Sequence, residues 1–508
     1  MSGVNARAYS VQRFRLALLQ FVGGRVAQAV ARALLVLILV RILEIRDFGA
    51  YMLIVGAAEM LLQVGSLGIL PVAQRYLPQL LTTLSPARLY AFVSVLAVAQ
   101  AAVLAGFAWL LWTWWPVLAP LFGMDAAQAE ATRFAAWLFL VIPAFRFSTE
   151  MLEAMLGQGA TARAVMVFAR VAAVLVLIAV KPAVTLTDVL LIDLIAIGAC
   201  TLFIWWNVRR LLASLHNPQA VGRLPIREML RFAGHMALVG PMSATASPGA
   251  IRLVLASGLG LAASGLYAFL QSLERLVSRY LPATLLKNLI RPVLISRYSA
   301  QGDNAVLKAG TGLLLKSNLM AVIAGLVFIA VCGDQLVLVM SGGKFPGAGI
   351  TLLLLYVNMI ATSQRGVQEM VMQITGHAKM LWITSLVYPI ALLLVWLLAD
   401  YGLNVAVLIV IAGSLAANGL AARVLQQRTN WFRVDWRGMS AIIVPGLVAA
   451  SAGIALTGWA RPFIAASLAV LVFVLLVRIG RPFSTVEIGT VERVVGQRAG
   501  RVLRGFAV

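Results

Sequence analysis

The sequence predicts an all-α polytopic membrane protein with roughly 14 transmembrane helices. The chain has 508 residues, of which 62% are hydrophobic and only 12% are charged. Mostly apolar runs of about 18 or more residues recur from one end of the chain to the other, and runs of that length indicate helices that cross a membrane. The connections between the runs are short, and none has the composition of a separate soluble domain.

Each apolar run is close to the ~20 residues that an α-helix needs to cross the hydrocarbon core of a bilayer, and this length justifies each predicted helix in turn. The first six helices are expected over 16–40, 50–72, 89–114, 131–156, 162–180 and 186–207. The next six are expected over 232–256, 264–286, 309–332, 349–374, 380–398 and 402–422, and the last two over 438–458 and 462–477.

The net charge of +23 is explained by the positions of the basic residues. With both termini in the cytoplasm, most Lys and Arg residues between the helices fall on the cytoplasmic side. The opposite side carries Arg41, Arg46, Lys181, Lys344 and Arg461. This asymmetry is the positive-inside pattern. It predicts a multi-pass membrane protein with both termini cytoplasmic, and it favours anionic membrane lipids over nucleic acid as the partner of the basic residues.

The order of the helices predicts a division into two lobes. We expect an N-terminal six-helix lobe over 1–213, a cytoplasmic linker over 214–231, a C-terminal six-helix lobe over 232–428, and two extra helices with a basic cytoplasmic tail over 429–508.

Short repeated motifs indicate that the two lobes are duplicates. Phe48–Tyr51 opens the second helix, as Ser264–Tyr267 opens the eighth, and Glu150-Met151 in the fourth helix corresponds to Glu369-Met370 in the tenth. Because each lobe has an even number of helices, the two copies are predicted to be parallel repeats about an axis along the membrane normal.

The same motifs resemble a known family. Arg41-Ile-Leu-Glu-Ile-Arg-Asp-Phe-Gly-Ala-Tyr51, followed by Gln74-Arg75-Tyr76, resembles the opening of the Wzx-type polysaccharide flippases of the MOP exporter superfamily, which are related to lipid II flippases and MATE exporters. Ser264–Tyr267 is similar to that family's junction between the seventh and eighth helices. The resemblance implies a transporter that moves a polyprenyl-pyrophosphate-linked oligosaccharide from the cytoplasmic to the periplasmic leaflet by alternating access. The two extra helices fit the 14-helix members.

Charged residues inside the predicted helices are the candidate functional residues. A charged side chain at mid-bilayer costs roughly 2.5 to 3.5 kcal/mol on insertion scales, so these groups are expected to face a polar cavity. Guanidinium groups are suited to phosphate because they offer planar, bidentate donors and stay charged. We therefore predict substrate-binding roles for Arg25, Arg32, Arg146, Arg252, Arg275 and Arg279. In the lipid II flippases, which the resemblance includes, cavity arginines come from the first, seventh and eighth helices, and this role would fall here on Arg25, Arg252 and Arg275.

Acidic residues in the helices are candidate sites for a coupling ion, because burial makes the ionisation of a carboxyl group sensitive to its partner. They are Glu59, Glu150, Glu153, Asp193, Glu274 and Glu369. A structural alternative stays open for several of them. Arg146 with Glu150, and Arg365 with Glu369, are spaced i, i+4 and could neutralise one another within a helix, and Asp193 could pair with one of the surplus arginines.

These observations predict a lipid-linked oligosaccharide flippase and no enzyme. They indicate no catalytic residue, no metal site and no cofactor, and the driving force would be the membrane potential or a coupling proton or sodium ion. The expected partners are the lipid-linked glycan, membrane lipids and other polysaccharide assembly proteins. Two alternatives stay open: a MATE-like ion-coupled exporter of small molecules, and a membrane polymerase or ligase of sugar chains. Cationic drugs would favour an acid-rich cavity, and such polymerases usually carry a sizeable external loop; the sequence has neither feature.

Overall fold

The structure is a computed structural model, which describes residues 11–156, 159–181, 183–213, 224–282, 284, 304–375, 380–429, 431–494 and 505–506. All regular elements in these ranges are helices, and ten of the helices are long and apolar enough to cross a membrane. The predicted class, an all-α polytopic membrane protein, is confirmed.

The helices follow the apolar runs along the chain. In the first half they are α1 (Val11–Ile42), α2 (Ile45–Gly65), α3 (Ile69–Thr83), α4 (Pro86–Leu121), α5 (Ala126–Ala131), α6 (Leu138–Leu156), α7 (Gly159–Val180), α8 (Leu186–Ala213), α9 (Ile226–Thr245) and α10 (Pro248–Ser278). A 3-10 turn at Arg133–Trp137 precedes α6.

The second half continues the same pattern. Its helices are α11 (Asn304–Ser341), α12 (Gly349–Ile374), α13 (Met380–Ser385), α14 (Val387–Leu397), α15 (Leu403–Arg428), α16 (Trp436–Leu456), α17 (Pro462–Gly480) and α18 (Thr485–Val494). A 3-10 turn at Ala399–Tyr401 lies between α14 and α15.

Glycine residues change two of the predicted bounds. The predicted second helix, 50–72, is broken after Gly65, and α3 begins beyond Gly68, whose φ of 79° is a left-handed conformation that glycine adopts without strain. The predicted seventh helix divides into α9 and the first part of α10. In α10 the helical conformation is interrupted at Gly260, with φ 84° and ψ 173°, close to the predicted gap between 256 and 264.

The chain forms two compact units, Met1–Ala268 and Phe269–Val508. The core of the first unit includes Phe48 and Phe147, both fully buried, and the core of the second includes Leu314, Ile442 and Phe473. Residues 214–223 of the predicted linker lie outside the described part of the chain, so the division into repeated six-helix lobes stays a prediction.

In the first unit, α2 and α10 touch backbone to backbone at glycines. A Cβ atom on Gly265 would lie 2.9 Å from Cα of Gly49, and a Cβ on Gly49 would clash with the carbonyl oxygen of Leu261. Gly249 and Gly56 make a second close approach of the same kind. Small residues allow helix backbones to pack this closely in membranes. Gly49 and Gly265 are the glycines of the two repeated motifs, so the motifs mark this helix crossing.

In the second unit, an ion pair fastens the last helix to α11. The Lys316 ammonium donates to Glu487 Oε2 at 2.9 Å and to the carbonyl oxygen of Pro482 at 2.9 Å, and it lies 2.6 Å from Asp435 Oδ2. The Glu487 carboxylate also accepts a hydrogen bond from the backbone N–H of Ser484 at 2.8 Å. Glu487 therefore both caps the start of α18 and holds the helix against Lys316.

Candidate functional site

Three helices of the first unit bring charged side chains together at Glu59. Oε1 of Glu59, on α2, accepts a hydrogen bond from Nη2 of Arg32 on α1 at 2.6 Å and another from Nη2 of Arg146 on α6 at 2.8 Å. The Glu59 side chain is 14% exposed, whereas those of Arg32 and Arg146 are 31% and 38% exposed. The three groups together carry one net positive charge. We call them the Glu59 cluster.

The two arginines of the Glu59 cluster keep most of their hydrogen-bonding capacity. A guanidinium group has five N–H donors, and within the described residues each of these two groups donates only to Glu59. Both are partly exposed, so the remaining donors can reach an incoming group. The cluster can therefore bind an anion through two forked cations, in competition with the Glu59 carboxylate.

Further along α6, two acidic side chains lie near one arginine. Glu153 pairs with Arg163 of α7 at short range, and Arg163 also lies 3.7 Å from Glu150 Oε1. Gln74 of α3 donates to Glu150 Oε2 at 3.1 Å. The i, i+4 spacing left open a pair between Arg146 and Glu150 within α6. In the structure, each of the two has a partner on another helix. The i, i+4, i+7 spacing puts Arg146, Glu150 and Glu153 on one face of α6, and their partners are contributed by α2, α3 and α7.

Asp193 lies in a fully satisfied buried network. Arg170 of α7 donates from Nε to Asp193 Oδ1 at 2.7 Å and from Nη2 to Oδ2 at 2.5 Å. The Tyr51 hydroxyl donates to Oδ2 at 2.8 Å and accepts from Arg170 Nη2 at 2.7 Å. Asp193 and Arg170 are 0% and 8% exposed. This arrangement matches the open alternative in which Asp193 pairs with an arginine, and it links α2, α7 and α8.

Arg252 is held against the backbone of α2. It is 2% exposed, and Nη1 donates to the carbonyl oxygen of Met52 at 3.2 Å. Gly56 makes room for it, since a Cβ there would lie 3.0 Å from Nη1 of Arg252. The side chain therefore depends on a glycine of the neighbouring helix, and its position is more enclosed than that of Arg32.

The remaining predicted site residues fall elsewhere. The side chain of Arg25, on α1, lies outside the described part of the chain. Glu274 and Arg275 near the end of α10, and Arg279 just after it, are partly buried and belong to the second unit. The structure thus brings together Arg32, Arg146 and Glu59, while Glu150 and Glu153 assemble around Arg163.

Glu369 takes part in a helix-connecting network of the second unit. Arg365 donates to Glu369 Oε1 at 3.0 Å, as the i, i+4 spacing predicts, and also to the carbonyl oxygen of Ala417 at 3.1 Å and to Thr384 Oγ1 at 2.7 Å. Arg365 is 4% exposed. It therefore ties α12 to α13 and α15 as well as pairing within its own helix.

Sequence reasoning missed Arg163 and Arg170 as partners of the acidic residues. They stand seven residues apart on α7 and so share one face of that helix, and this spacing is the signal that could have found them. Among the described residues, no group of three or more His, Cys, Asp or Glu side chains is arranged to hold a metal ion.

Comparison with known proteins identifies the fold. The sequence matches no family model and no curated protein. Among solved structures, the chain is similar to a lipid II flippase, MurJ, in an inward closed conformation, with a TM-score of 0.65 and 13% identity over 91% of this chain and 98% of that one.

It is also similar to an inward-facing multidrug resistance MATE family transporter of the MOP superfamily, with a TM-score of 0.54 and 15% identity over 83% of this chain and 96% of that one. The predicted likeness to lipid II flippases and MATE exporters is confirmed at the level of the fold.

Proposed function

We propose that the protein is a Wzx-type flippase that carries a polyprenyl-pyrophosphate-linked oligosaccharide from the cytoplasmic to the periplasmic leaflet, for the synthesis of cell-surface polysaccharide. It acts by alternating access and catalyses no covalent chemistry. Support for a transporter comes from the shared fold, and the choice of an anionic lipid-linked substrate rests on the charges described next.

The Glu59 cluster is the observation that carries the proposal. Two arginines on different helices share one carboxylate oxygen, at 2.6 and 2.8 Å, and hold one positive charge in excess. A pyrophosphate brings several acceptor oxygens and can engage both guanidinium forks at once. The carboxylate of Glu59 then acts as an internal anion that keeps the arginines paired until the substrate exchanges with it.

The charge of the substrate supplies the driving force. Moving about two negative charges outward across a potential of 100 mV, negative inside, releases roughly 4 to 5 kcal/mol. The cycle therefore needs no nucleotide. On this proposal the protein lies in the bacterial inner membrane with both termini in the cytoplasm, and it receives its substrate from, and passes it to, other polysaccharide assembly proteins.

The proposal is tested by removing one arginine of the cluster. Arg146→Ala and Arg32→Ala, at unchanged expression, are expected to cause lipid-linked oligosaccharide to accumulate in the cytoplasmic leaflet. Arg209→Ala is the matched control, because Arg209 is exposed on α8 and lies outside the cluster. If both cluster variants transport lipid-linked oligosaccharide as well as the control does, the proposal is wrong.

A cation-coupled exporter of small molecules is the second candidate. It is favoured by Glu150 and Glu153, two carboxylates that both lie near the Arg163 guanidinium, and by the shared fold of the MATE transporter. Glu150→Gln together with Glu153→Gln separates the candidates. The double variant should abolish drug efflux in an exporter and should leave transport of the lipid-linked sugar largely intact in the proposed flippase.

A further inference from the structure

A cavity of about 550 Å³ lies in the second unit, away from the Glu59 cluster. It is enclosed by the first turns of α11, the segment from Trp431 to Asp435, the start of α16 and the start of α18. Because α11 and α16 begin here, the cavity lies near one end of two membrane-spanning helices. The positive-inside pattern predicts that this end faces the cytoplasm.

The two acidic groups of the cavity share one ammonium group. Asp435 and Glu487 both pair with Lys316, whose three N–H donors are used on these two carboxylates and on the carbonyl oxygen of Pro482. Lys308 and Arg433 also line the cavity, and neither makes an ion pair within the described residues. The lining therefore carries three basic and two acidic groups, which leaves one positive charge in excess, and the exposed side chains of Lys308 and Arg433 lie outside the ion pairs of the described chain.

A buried hydroxyl in the cavity wall also lacks a partner. Thr311 is 3% exposed, and its Oγ1 has no hydrogen-bond partner within the described residues. Leaving a buried hydroxyl without a hydrogen bond destabilises the fold. A polar group that enters the cavity could accept or donate this hydrogen bond.

The rest of the lining is apolar and aromatic. Trp431, Leu315 and Met439 are among these lining residues. Tryptophan is enriched at the level of the lipid headgroups, where one side of the ring meets hydrocarbon. Basic pockets between helices on the cytoplasmic side are suited to anionic headgroups, with the glycerol and acyl chains continuing along the apolar wall.

We propose that this cavity binds the phosphate headgroup of an anionic membrane phospholipid. Lys308 and Arg433 bind the phosphate, Thr311 donates a hydrogen bond to a headgroup oxygen, and Trp431 packs against the glycerol region. The basic residues of the C-terminal tail, Arg498, Arg501 and Arg504, are unsuitable occupants because their charge has the same sign as that of the cavity.

Native mass spectrometry of the purified full-length protein provides the test. The probes are phosphatidylglycerol, phosphatidylcholine and inorganic phosphate. The variant Lys308→Ala/Arg433→Ala should bind phosphatidylglycerol on the order of 20-fold more weakly, since each basic residue near the surface contributes about fivefold. Arg428→Ala/Arg478→Ala loses the same charge at exposed positions outside the cavity, and its binding should stay within about twofold of the wild type.

A second variant keeps the test valid if the double variant folds poorly. Thr311→Val is nearly isosteric and removes only the unpartnered hydroxyl, so it should weaken phosphatidylglycerol binding several-fold while the Tm stays the same or rises. Three outcomes would each overturn the proposal: equal losses in the cavity variant and the exposed control, equal binding of phosphatidylcholine and phosphatidylglycerol, or displacement of phosphatidylglycerol by inorganic phosphate at similar concentration, which would indicate a site for the free anion.

Discussion

Arg170 donates two parallel hydrogen bonds to Asp193 inside the first unit, from Nε to Oδ1 at 2.7 Å and from Nη2 to Oδ2 at 2.5 Å. Both side chains are buried, and they link α7 to α8. Removing one partner leaves the other charge unpaired, which typically costs about 3 to 5 kcal/mol. Asp193→Asn and Arg170→Met are therefore expected to lower the Tm of the purified protein strongly.

The double variant Arg170→Met/Asp193→Asn distinguishes a structural pair from an ion-coupling site. With both charges removed, most of the lost stability should return, and transport at a permissive temperature should approach that of the wild type. The Tm by tryptophan fluorescence and a transport assay on the same preparation measure the two effects. A stable double variant without transport would instead assign Asp193 a role in coupling.

Glu59→Gln tests whether this carboxylate competes with the substrate. The variant removes the internal anion of the Glu59 cluster while keeping the size of the side chain, so Arg32 and Arg146 become more available. On the proposed function, binding of a polyprenyl pyrophosphate in detergent should tighten roughly tenfold, because a hydrogen bond to a charged group contributes about 1.5 to 3 kcal/mol. Thermophoresis at constant salt measures the Kd. Weaker binding in Glu59→Gln would contradict the competition.

Gly49→Ala should disrupt the crossing of α2 and α10. The added methyl group would collide with the carbonyl oxygen of Leu261, which is backbone and cannot rotate away. We expect a loss of folded protein, measured as the monodisperse fraction in size-exclusion chromatography. Gly106→Ala is the matched control: Gly106 lies on α4 with no atom within 4 Å of an added Cβ, so this helix-favouring change should be tolerated. Equal yields of the two variants would contradict the close packing.

Lys316→Met should loosen the C-terminal helix. It leaves Glu487, which is 6% exposed, without its ammonium partner, and a buried carboxylate without a partner destabilises its surroundings. Trypsin should then cleave faster after Arg481, which precedes α18. In Lys316→Met/Glu487→Gln the buried unpaired charge is absent, and Asp435, the other partner of Lys316, is exposed to solvent, so the cleavage rate should fall back toward that of the wild type. A cleavage rate unchanged in Lys316→Met would show that α18 is held by other contacts.

Asp435 gives the same region a dependence on pH. Burial opposes its ionisation, but hydrogen bonds from Lys316 and Gly438 and the charges of Lys316 and Arg437 outweigh this effect and hold the pKa of Asp435 below its ordinary value of 3.8. Because the pKa is lower in the folded protein than in the unfolded one, the ionised group stabilises the fold fully above about pH 4. That contribution is lost as the pH falls through the folded value.

The Tm difference between wild type and Asp435→Asn should accordingly be constant from pH 6 to about pH 4 and shrink below it. Asp400→Asn, at an exposed carboxylate on the turn before α15, serves as the control and should change the Tm little at any pH. A wild-type advantage that persists unchanged to pH 3 would contradict the assignment.

The helices were predictable because the signal for each is local. A run of apolar residues such as Leu186–Ala213 has few alternatives to a membrane helix. The breaks at Gly68 and Gly260 change only where individual helices begin and end. The ion pairs were harder to predict from the sequence. Spacing along α6 places Arg146 and Glu150 on one face, but their partners are Glu59 and Arg163, and the angles at which helices cross decide such pairings.

The contact of Gly265 with Gly49 has a consequence for sequence variation. The two positions come from different copies of the repeated motif. Gly49 occupies the space that a side chain on Gly265 would need, and a side chain on Gly49 would collide with the backbone of Leu261, one turn before Gly265. A side chain at either position would collide with backbone atoms, and no change at the other position can relieve the collision. Both residues must therefore stay small in any relative that keeps the crossing. We expect an alignment of relatives to show glycine at both positions, while the aromatic and aliphatic residues beside them vary.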